Sequence, residues 1–232
     1  MTLTAPVLCL VTDRRRLGAR LGSAPDTRTT ADALLSQVTA AAEAGVGLIQ
    51  VREVELPDAT LVALVRAIRD RVVPYGARVV VNDRLDIALA SGADGVHLKS
   101  ASISVIEALR LAPSGWLIGR SIHALAEIER GVTTGAHYLI FGSVFPTQSK
   151  PAGWETTGLA GLEAAVRAAS PVPVLGIGGI GLAQAPAVAA TGAAGLAAID
   201  AFLPPQSTGI ADNVQEVVRR MRMAFDSSLP LS

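Results

Sequence analysis

The chain predicts a (β/α)8 TIM barrel in a single domain. Eight short β-branched or Leu-rich runs recur along its 232 residues, stretches with helical spacing of apolar positions separate them, and glycines stand where those helices would stop. Alternation of strand and helix demands parallel strands, because each right-handed crossover returns the chain in the same direction. Eight such units in this length close a ring. An open, doubly wound sheet is the alternative, and a first turn without a dominant glycine fingerprint argues against it.

The runs fall at residues 7–12, 47–52, 78–82, 95–98, 116–121, 138–142, 172–176 and 195–199. Between the first two, Leu34, Val38, Ala41, Ala42 and Gly45 follow helical spacing, and Leu61, Leu64, Val65 and Ile68 do so before the third. Ala44-Gly45, Ser91-Gly92, Thr134-Gly135 and Thr191-Gly192 place glycine where a left-handed residue ends a helix. The core is expected over residues 7–226, with 227–232 a disordered tail. Residues 13–30 are long for a βα loop and read either as a flap over the barrel mouth or as a solvated excursion.

Composition excludes several classes. The 20 Lys and Arg balance 20 Asp and Glu, so no polyanion-binding surface, and no nucleic-acid partner, is expected. Half of the chain is hydrophobic and 17% is charged, which is globular rather than disordered. A single cysteine, Cys9 in Val7-Leu8-Cys9-Leu10-Val11, rules out a disulfide or Cys-based metal site within one chain, and a cytoplasmic location fits. The start of the sequence lacks a basic segment followed by an apolar one, so no signal peptide is expected. The most apolar stretch, 182–203, is broken by Gln184, Pro186, Gly192, Gly195 and Asp200, so no membrane partner is expected either. Outer-helix residues 182–191 are apolar enough for self-association, which leaves a homo-oligomer open.

A barrel of this kind carries its chemistry at the C-terminal ends of its strands. There the sequence places Gln50, Arg52 and Glu53; Asn82 and Asp83; His97 and Lys99; Ser121 and His123; Thr147, Ser149 and Lys150; and the turn Gly176-Ile177-Gly178-Gly179. A glycine turn between strand and helix suits a phosphate, held by backbone N–H groups and a helix dipole, although a plain tight turn reads the same way. Thr147, Ser149 and Lys150 bring two hydroxyls and a cation to one loop, suited to an anion or a closing lid, or forming an ordinary polar loop. Arg52 ends an apolar strand and requires Glu53, Asp83 or a ligand anion, of which the ligand is favoured.

His137 starts the sixth run, on the opposite face, and reads as structural. His97 is equally a packed residue or a site residue. His123 stands past the fifth run, and an imidazole, ordinarily titrating near neutrality, is the best general base on offer. No His, Asp or Glu cluster has metal-ligand spacing and no Ser-centred elbow occurs, which leaves metal-independent proton transfer as the simplest chemistry and no cofactor as the expectation.

Read together, Leu10-Val11-Thr12-Asp13, Gln50-Val51-Arg52-Glu53, Val81-Asn82-Asp83-Arg84-Leu85-Asp86, Gly92-Ala93-Asp94-Gly95-Val96-His97-Leu98, Gly119-Arg120-Ser121-Ile122-His123, Phe145-Pro146-Thr147-Gln148-Ser149-Lys150 and Gly176-Ile177-Gly178-Gly179-Ile180 resemble the thiamine phosphate synthase and thiazole tautomerase superfamily from about Leu8 to Phe202. The synthase branch couples a pyrimidine diphosphate to a thiazole phosphate. That resemblance implies Gln50, Arg52, Ser121, Thr147, Ser149 and Lys150 on substrate or pyrophosphate and Asp83 on Mg2+. Val54 replaces the lysine that follows Arg-Glu in that pattern, and Ser102, in Lys99-Ser100-Ala101-Ser102, replaces the second magnesium carboxylate.

The tautomerase branch tolerates loss of that metal site. Gly119-Arg120-Ser121-Ile122-His123 and Tyr138-Leu139-Ile140-Phe141-Gly142 resemble its pattern more closely. This resemblance implies an isomerase that aromatises a thiazole carboxylate phosphate, with His123 as base, Gln50, Arg52, Asn82, Ser121, Thr147, Ser149 and Lys150 on substrate, and Gly178, Gly179, Ile199 and Asp200 around its phosphate. Asp200 stands where the family carries a small hydroxyl residue, and a carboxylate there repels a phosphate unless a cation neutralises it. The synthase is the alternative reading, and a non-catalytic ligand-binding homologue the second alternative.

Overall fold

In the computed structural model, residues 3, 5–24, 28–129, 135–149, 151, 153–205 and 209–226 are described. The expected tail at 227–232 and the candidate Lys150 lie outside them. Eight strands, β1 (Val7–Val11), β2 (Leu48–Val51), β3 (Arg78–Asn82), β4 (Gly95–Leu98), β5 (Leu117–Ile122), β6 (Tyr138–Gly142), β7 (Val174–Ile177) and β8 (Gly195–Ala198), form a closed parallel barrel in chain order. β8 returns to β1, with Val7 opposite Gly195 and Leu10 opposite Ala198. The start of β7 was expected at 172 and lies at 174. Val172 still bonds back to the preceding helix through its N–H to the Ala169 carbonyl at 2.8 Å, and Pro173 has no N–H to offer a ladder.

The strands are buried on both faces, and the period of two divides their side chains cleanly. Val7, Cys9, Val11, Leu48, Val80, Leu117, Tyr138, Ile140, Leu175 and Ala197 fill the barrel interior. Leu8, Leu10, Ile49, Val79, Val81, Val96, Ile118, Leu139 and Leu196 point outward against the helices. Continuing the inward row toward the C-terminal ends gives Gln50, Asn82, His97, Ser121 and Ile177. The site is therefore the polar end of the inner row rather than a separate structure.

The helices α2 (Arg28–Glu43), α3 (Asp58–Val72), α4 (Leu85–Ser91), α5 (Val105–Leu111), α6 (Gly158–Ala169), α7 (Ala185–Ala190) and α8 (Ile210–Asp226) surround the ring, and α1 (Arg14–Arg20) precedes them. In α3, Leu61, Val65, Ile68 and Val72 form the buried stripe that helical spacing requires. Ser104 and Glu107 cap α5 reciprocally, with the Glu107 N–H on Ser104 Oγ at 3.2 Å and the Ser104 N–H on Glu107 Oε2 at 2.9 Å. The four glycines expected to stop helices all have left-handed φ, from 71° at Gly92 to 106° at Gly45.

Among the described residues of 13–30, Arg14–Arg20 form α1 and Arg28 opens α2. Asp13 caps α1 by accepting from the Arg16 N–H at 3.0 Å, and Arg14 is buried. The Arg14 N–H donates to both Glu53 oxygens at 3.0 and 3.2 Å, and its guanidinium pairs with Glu55 at 3.2 Å. The segment is thus pinned to the end of β2. Burial pushes the Glu53 carboxyl up to about 7, against hydrogen bonds from Thr12 and the Arg14 backbone that favour its ionised form.

In α7 the residues Ala185, Val188 and Ala189 are buried against the barrel, while Pro186 and Ala190 are exposed on its outer side. No helix among the described residues is long and apolar enough to cross a membrane.

Candidate active site

Side chains from several strands converge on one cavity of about 210 Å³ at the C-terminal mouth. Gln50, Arg52, Asn82, Ser121 and His123 all line it, as do Ser149, Gly178 and Ile199. Thr147, Gly179 and Asp200 line a smaller adjoining cavity of about 50 Å³ that shares Ser149, Gly178 and Ile199 with the first. The described candidates therefore divide between a broad mouth and a narrow pocket at the glycine turn.

His123 is held at both ends of its residue. Its N–H and that of Ala124 donate to Glu127 Oε1 at 3.1 and 3.0 Å, and its ring Nδ1 lies 2.5 Å from the Gly142 carbonyl oxygen. A carbonyl only accepts, so Nδ1 carries the hydrogen and the neutral ring keeps Nε2 as its basic atom. With His123 and Gly178 on the same cavity, one small molecule can meet both.

The buried side of the mouth is a polar network. His97 is 1% exposed, with Nε2 2.8 Å from Ser121 Oγ and Nδ1 3.2 Å from the Tyr138 hydroxyl. Burial holds His97 down to about 3, so the ring is neutral and positions Ser121. Gly119 makes room for this network, because a Cβ there would stand 2.1 Å from Tyr138 Cζ. Gln50 donates to Asn82 Oδ1 at 3.0 Å, and its own Oε1 is buried with no hydrogen-bond partner among the described residues.

A testable pH dependence follows from His97. Its folded pKa lies below its ordinary 6.5, so the stability it contributes is present in full above pH 6.5 and is lost as pH falls toward 3. The expected slope is about 1.4 kcal/mol per pH unit across that window. Glu53, with its raised pKa, acts in the opposite sense, losing stability as pH rises from 4.5 to about 7. Urea unfolding of wild type and His97→Asn at pH 4.5 and 6.5 separates them: the substitution flattens the acid loss due to His97, and equal slopes contradict the assignment.

Arg52 is exposed and, among the described residues, is bonded only through its backbone N–H, to Thr12 Oγ1 at 3.0 Å. Its two candidate protein partners are engaged elsewhere, Glu53 with Arg14 and Asp83 with Lys99. Lys99 Nζ lies 2.5 Å from Asp83 Oδ2, while Ser102 Oγ donates to Asp83 Oδ1 and accepts from the Lys99 N–H at 2.8 Å. Burial alone would raise the Asp83 carboxyl, but these hydrogen bonds and the Lys99 charge hold it below the usual range. Magnesium favours carboxylate and phosphate oxygens in octahedral array. A single carboxylate with both oxygens already engaged is a poor fit, and no group of three or more His, Cys, Asp or Glu able to hold a metal occurs among the described residues.

At the turn, Gly178 has φ of 101° and Gly179 of 62°. A Cβ at Gly178 would stand 2.7 Å from Ser143 Cβ, and one at Gly179 2.3 Å from the Pro146 carbonyl oxygen, so only glycine lets this turn lie against the loop after β6. Thr147 Oγ1 and Ser149 Oγ are 3.1 Å apart on that loop. Asp200 is paired with Arg16 of α1, so the carboxylate that looked repulsive beside a phosphate has its neutralising cation.

His137 lies at the other end of β6, accepting from the Ile118 N–H at 3.1 Å, and is structural as expected. Sequence reading passed over Tyr138, Ser143 and Arg16. The signal for Tyr138 was available in the inward period of β6, but Arg16 gave none, because its partner lies 184 positions away along the chain.

Residues 24–202 match the family described as thiamine monophosphate synthase. The chain belongs to that family. It is 41% identical over 196 residues to a putative thiamine-phosphate synthase of Geobacter sulfurreducens, covering 84% of this chain and 86% of the relative. It is 43% identical over 163 residues to a thiamine-phosphate synthase of Methanoculleus marisnigri, covering 70% and 77%. Among solved structures, thiamine phosphate pyrophosphorylase from Pyrococcus furiosus superposes with a TM-score of 0.77 at 31% identity over 96% of both chains. Membership places this family barrel in thiamine biosynthesis.

Proposed function

We propose that this family member is an isomerase of the thiazole branch, which binds a thiazole carboxylate phosphate in the mouth and aromatises it by proton transfer without a metal. The observation that carries this reading is the Lys99, Asp83 and Ser102 cluster: where the family resemblance calls for two metal carboxylates, one carboxylate is paired with an ammonium and capped by a hydroxyl. Removing a metal ligand and the lysine replaced by Val54 takes stabilisation from a departing pyrophosphate, a loss of about 10²–10³ in rate for one donor alone. Proton transfer makes no such demand.

In the proposed step, His123 Nε2 takes the proton from the ring C2 of the thiazole. Electrons move through the ring to the exocyclic alkene, whose carbon receives a proton, so the formula is unchanged and one aromatic ring is gained. The Nδ1 hydrogen bond to Gly142 keeps the basic nitrogen available and supports the imidazolium that forms. Gln50, Asn82 and Ser121 orient the ring, Arg52 attracts the carboxylate, and Gly178, Gly179, Ile199, Thr147 and Ser149 surround the phosphate. Lys150, on the same loop, belongs to this set by resemblance.

The names of the relatives favour the second reading, a synthase that couples hydroxymethylpyrimidine diphosphate to thiazole phosphate through Asp83-bound magnesium. Proton NMR of the purified protein with the non-aromatic thiazole carboxylate phosphate as sole substrate distinguishes them. The isomerase reading expects the ring C2 and exocyclic alkene proton signals to disappear and a new methylene signal to take their place. An unchanged spectrum beside active coupling in a parallel tube contradicts it.

A further inference from the structure

Tyr138, His97 and Ser121 form a hydrogen-bonded chain at the floor of the mouth, and its direction decides what the mouth offers a ligand. The Tyr138 hydroxyl lies 3.2 Å from His97 Nδ1, and His97 Nε2 lies 2.8 Å from Ser121 Oγ. Both hydroxyls can donate or accept, whereas a neutral imidazole carries its hydrogen on one nitrogen only.

Tyr138 decides between the two tautomers. It is fully buried in the barrel interior, and His97 Nδ1 is the one hydrogen-bond partner of its hydroxyl among the described residues. With the ring hydrogen on Nδ1, that nitrogen would donate to the tyrosine oxygen and leave the phenolic O–H buried without an acceptor, which is the costly arrangement. With the hydrogen on Nε2, the phenol donates to Nδ1 and Nε2 donates to Ser121 Oγ, so each buried donor is used. The hydroxyl hydrogen of Ser121 then has no acceptor among the described residues, and Ser121 lines the cavity of about 210 Å³.

We infer that Tyr138 is a positioning residue: through the Nε2–H form of His97 it commits the Ser121 hydroxyl to donate into the mouth, so the substrate atom that Ser121 meets is a hydrogen-bond acceptor. This deepens the proposed function and rests on it for the identity of the substrate. A thiazole carboxylate phosphate suits such a donor, since its ring nitrogen and carboxylate oxygens accept and its ring carries no N–H. In the opposite tautomer Ser121 would donate to His97 and present lone pairs, which select a ligand N–H instead. The two histidines of the mouth thus use opposite nitrogens, His123 holding its hydrogen on Nδ1 against the Gly142 carbonyl and His97 holding its own on Nε2.

Nitrogen-15 NMR of the intact protein, with the His97 ring assigned by through-bond correlation to its backbone, reads the tautomer without substrate. Wild type should show Nε2 protonated and Nδ1 bare at neutral pH, and a ring protonated on Nδ1 overturns the inference. Tyr138→Phe, checked for a wild-type circular dichroism spectrum, removes the phenolic donor and should move the Nδ1 resonance, and an unmoved resonance overturns the part given to Tyr138. In steady-state isomerisation of the thiazole carboxylate phosphate, Tyr138→Phe should lower kcat/KM by about three- to tenfold, the range of one neutral hydrogen bond. Because Tyr138 acts through Ser121, the Tyr138→Phe/Ser121→Ala double variant should match Ser121→Ala within about twofold. Additive losses overturn the positioning role. Wild type that shows the expected tautomer yet turns over no thiazole contradicts the isomerase reading and leaves the direction of the chain standing, which separates the two failures.

Discussion

On the proposed mechanism, His123→Ala is expected to lower the isomerisation rate by about 10²–10⁴-fold, the range that a positioned general base contributes, and to leave KM within a few-fold of wild type. The split follows from the geometry. In the proposed mechanism the pocket at the glycine turn and Arg52 are untouched by the substitution, so ground-state binding should persist, while the atom proposed to accept the C2 proton is gone. His123 lines the cavity together with Gly178, so the substitution removes a group from the mouth rather than from the core. Steady-state kinetics on the thiazole substrate decide the matter. A variant that turns over at the wild-type rate removes His123 from the mechanism outright.

Gly119→Ala is expected to destabilise the fold by about 3 kcal/mol, the upper part of the range for overpacking a buried site. The added Cβ would lie 2.1 Å from Tyr138 Cζ and 2.5 Å from its hydroxyl oxygen, inside a ring that has no space to yield. Because the Tyr138 hydroxyl meets His97 and His97 meets Ser121, the clash also displaces the polar floor of the site. Urea denaturation measures the loss, and adding Tyr138→Leu should recover part of it. A Gly119→Ala midpoint within about 1 kcal/mol of wild type contradicts the packing described.

The barrel was legible because its strands are short, apolar on both faces and separated by helices, three of which end just before the expected glycines Gly45, Gly92 and Gly192. Strand ends were harder to place where a proline intervened, as at Pro173. The site was legible where the barrel's architecture dictates position: Gln50, Asn82, Ser121 and His123 all stand where the strands end. His97 remained ambiguous because its sequence position suits packing and catalysis equally, and only its contacts with Ser121 and Tyr138 give it a positioning role. The pairing of Arg16 with Asp200 was invisible, since no local pattern joins α1 to the end of β8. The same holds for Lys99 and Asp83, whose proximity depends on β3 and β4 lying side by side.

The decisive assay offers the purified protein both substrate sets, the non-aromatic thiazole carboxylate phosphate alone and the pyrimidine diphosphate with thiazole phosphate, with magnesium and again with a chelator. A site whose second metal carboxylate has given way to Ser102, and whose remaining carboxylate is held by Lys99, should isomerise the first substrate equally well in both conditions and couple the second pair poorly in either. Efficient coupling that the chelator abolishes, with no aromatisation of the lone thiazole, contradicts it.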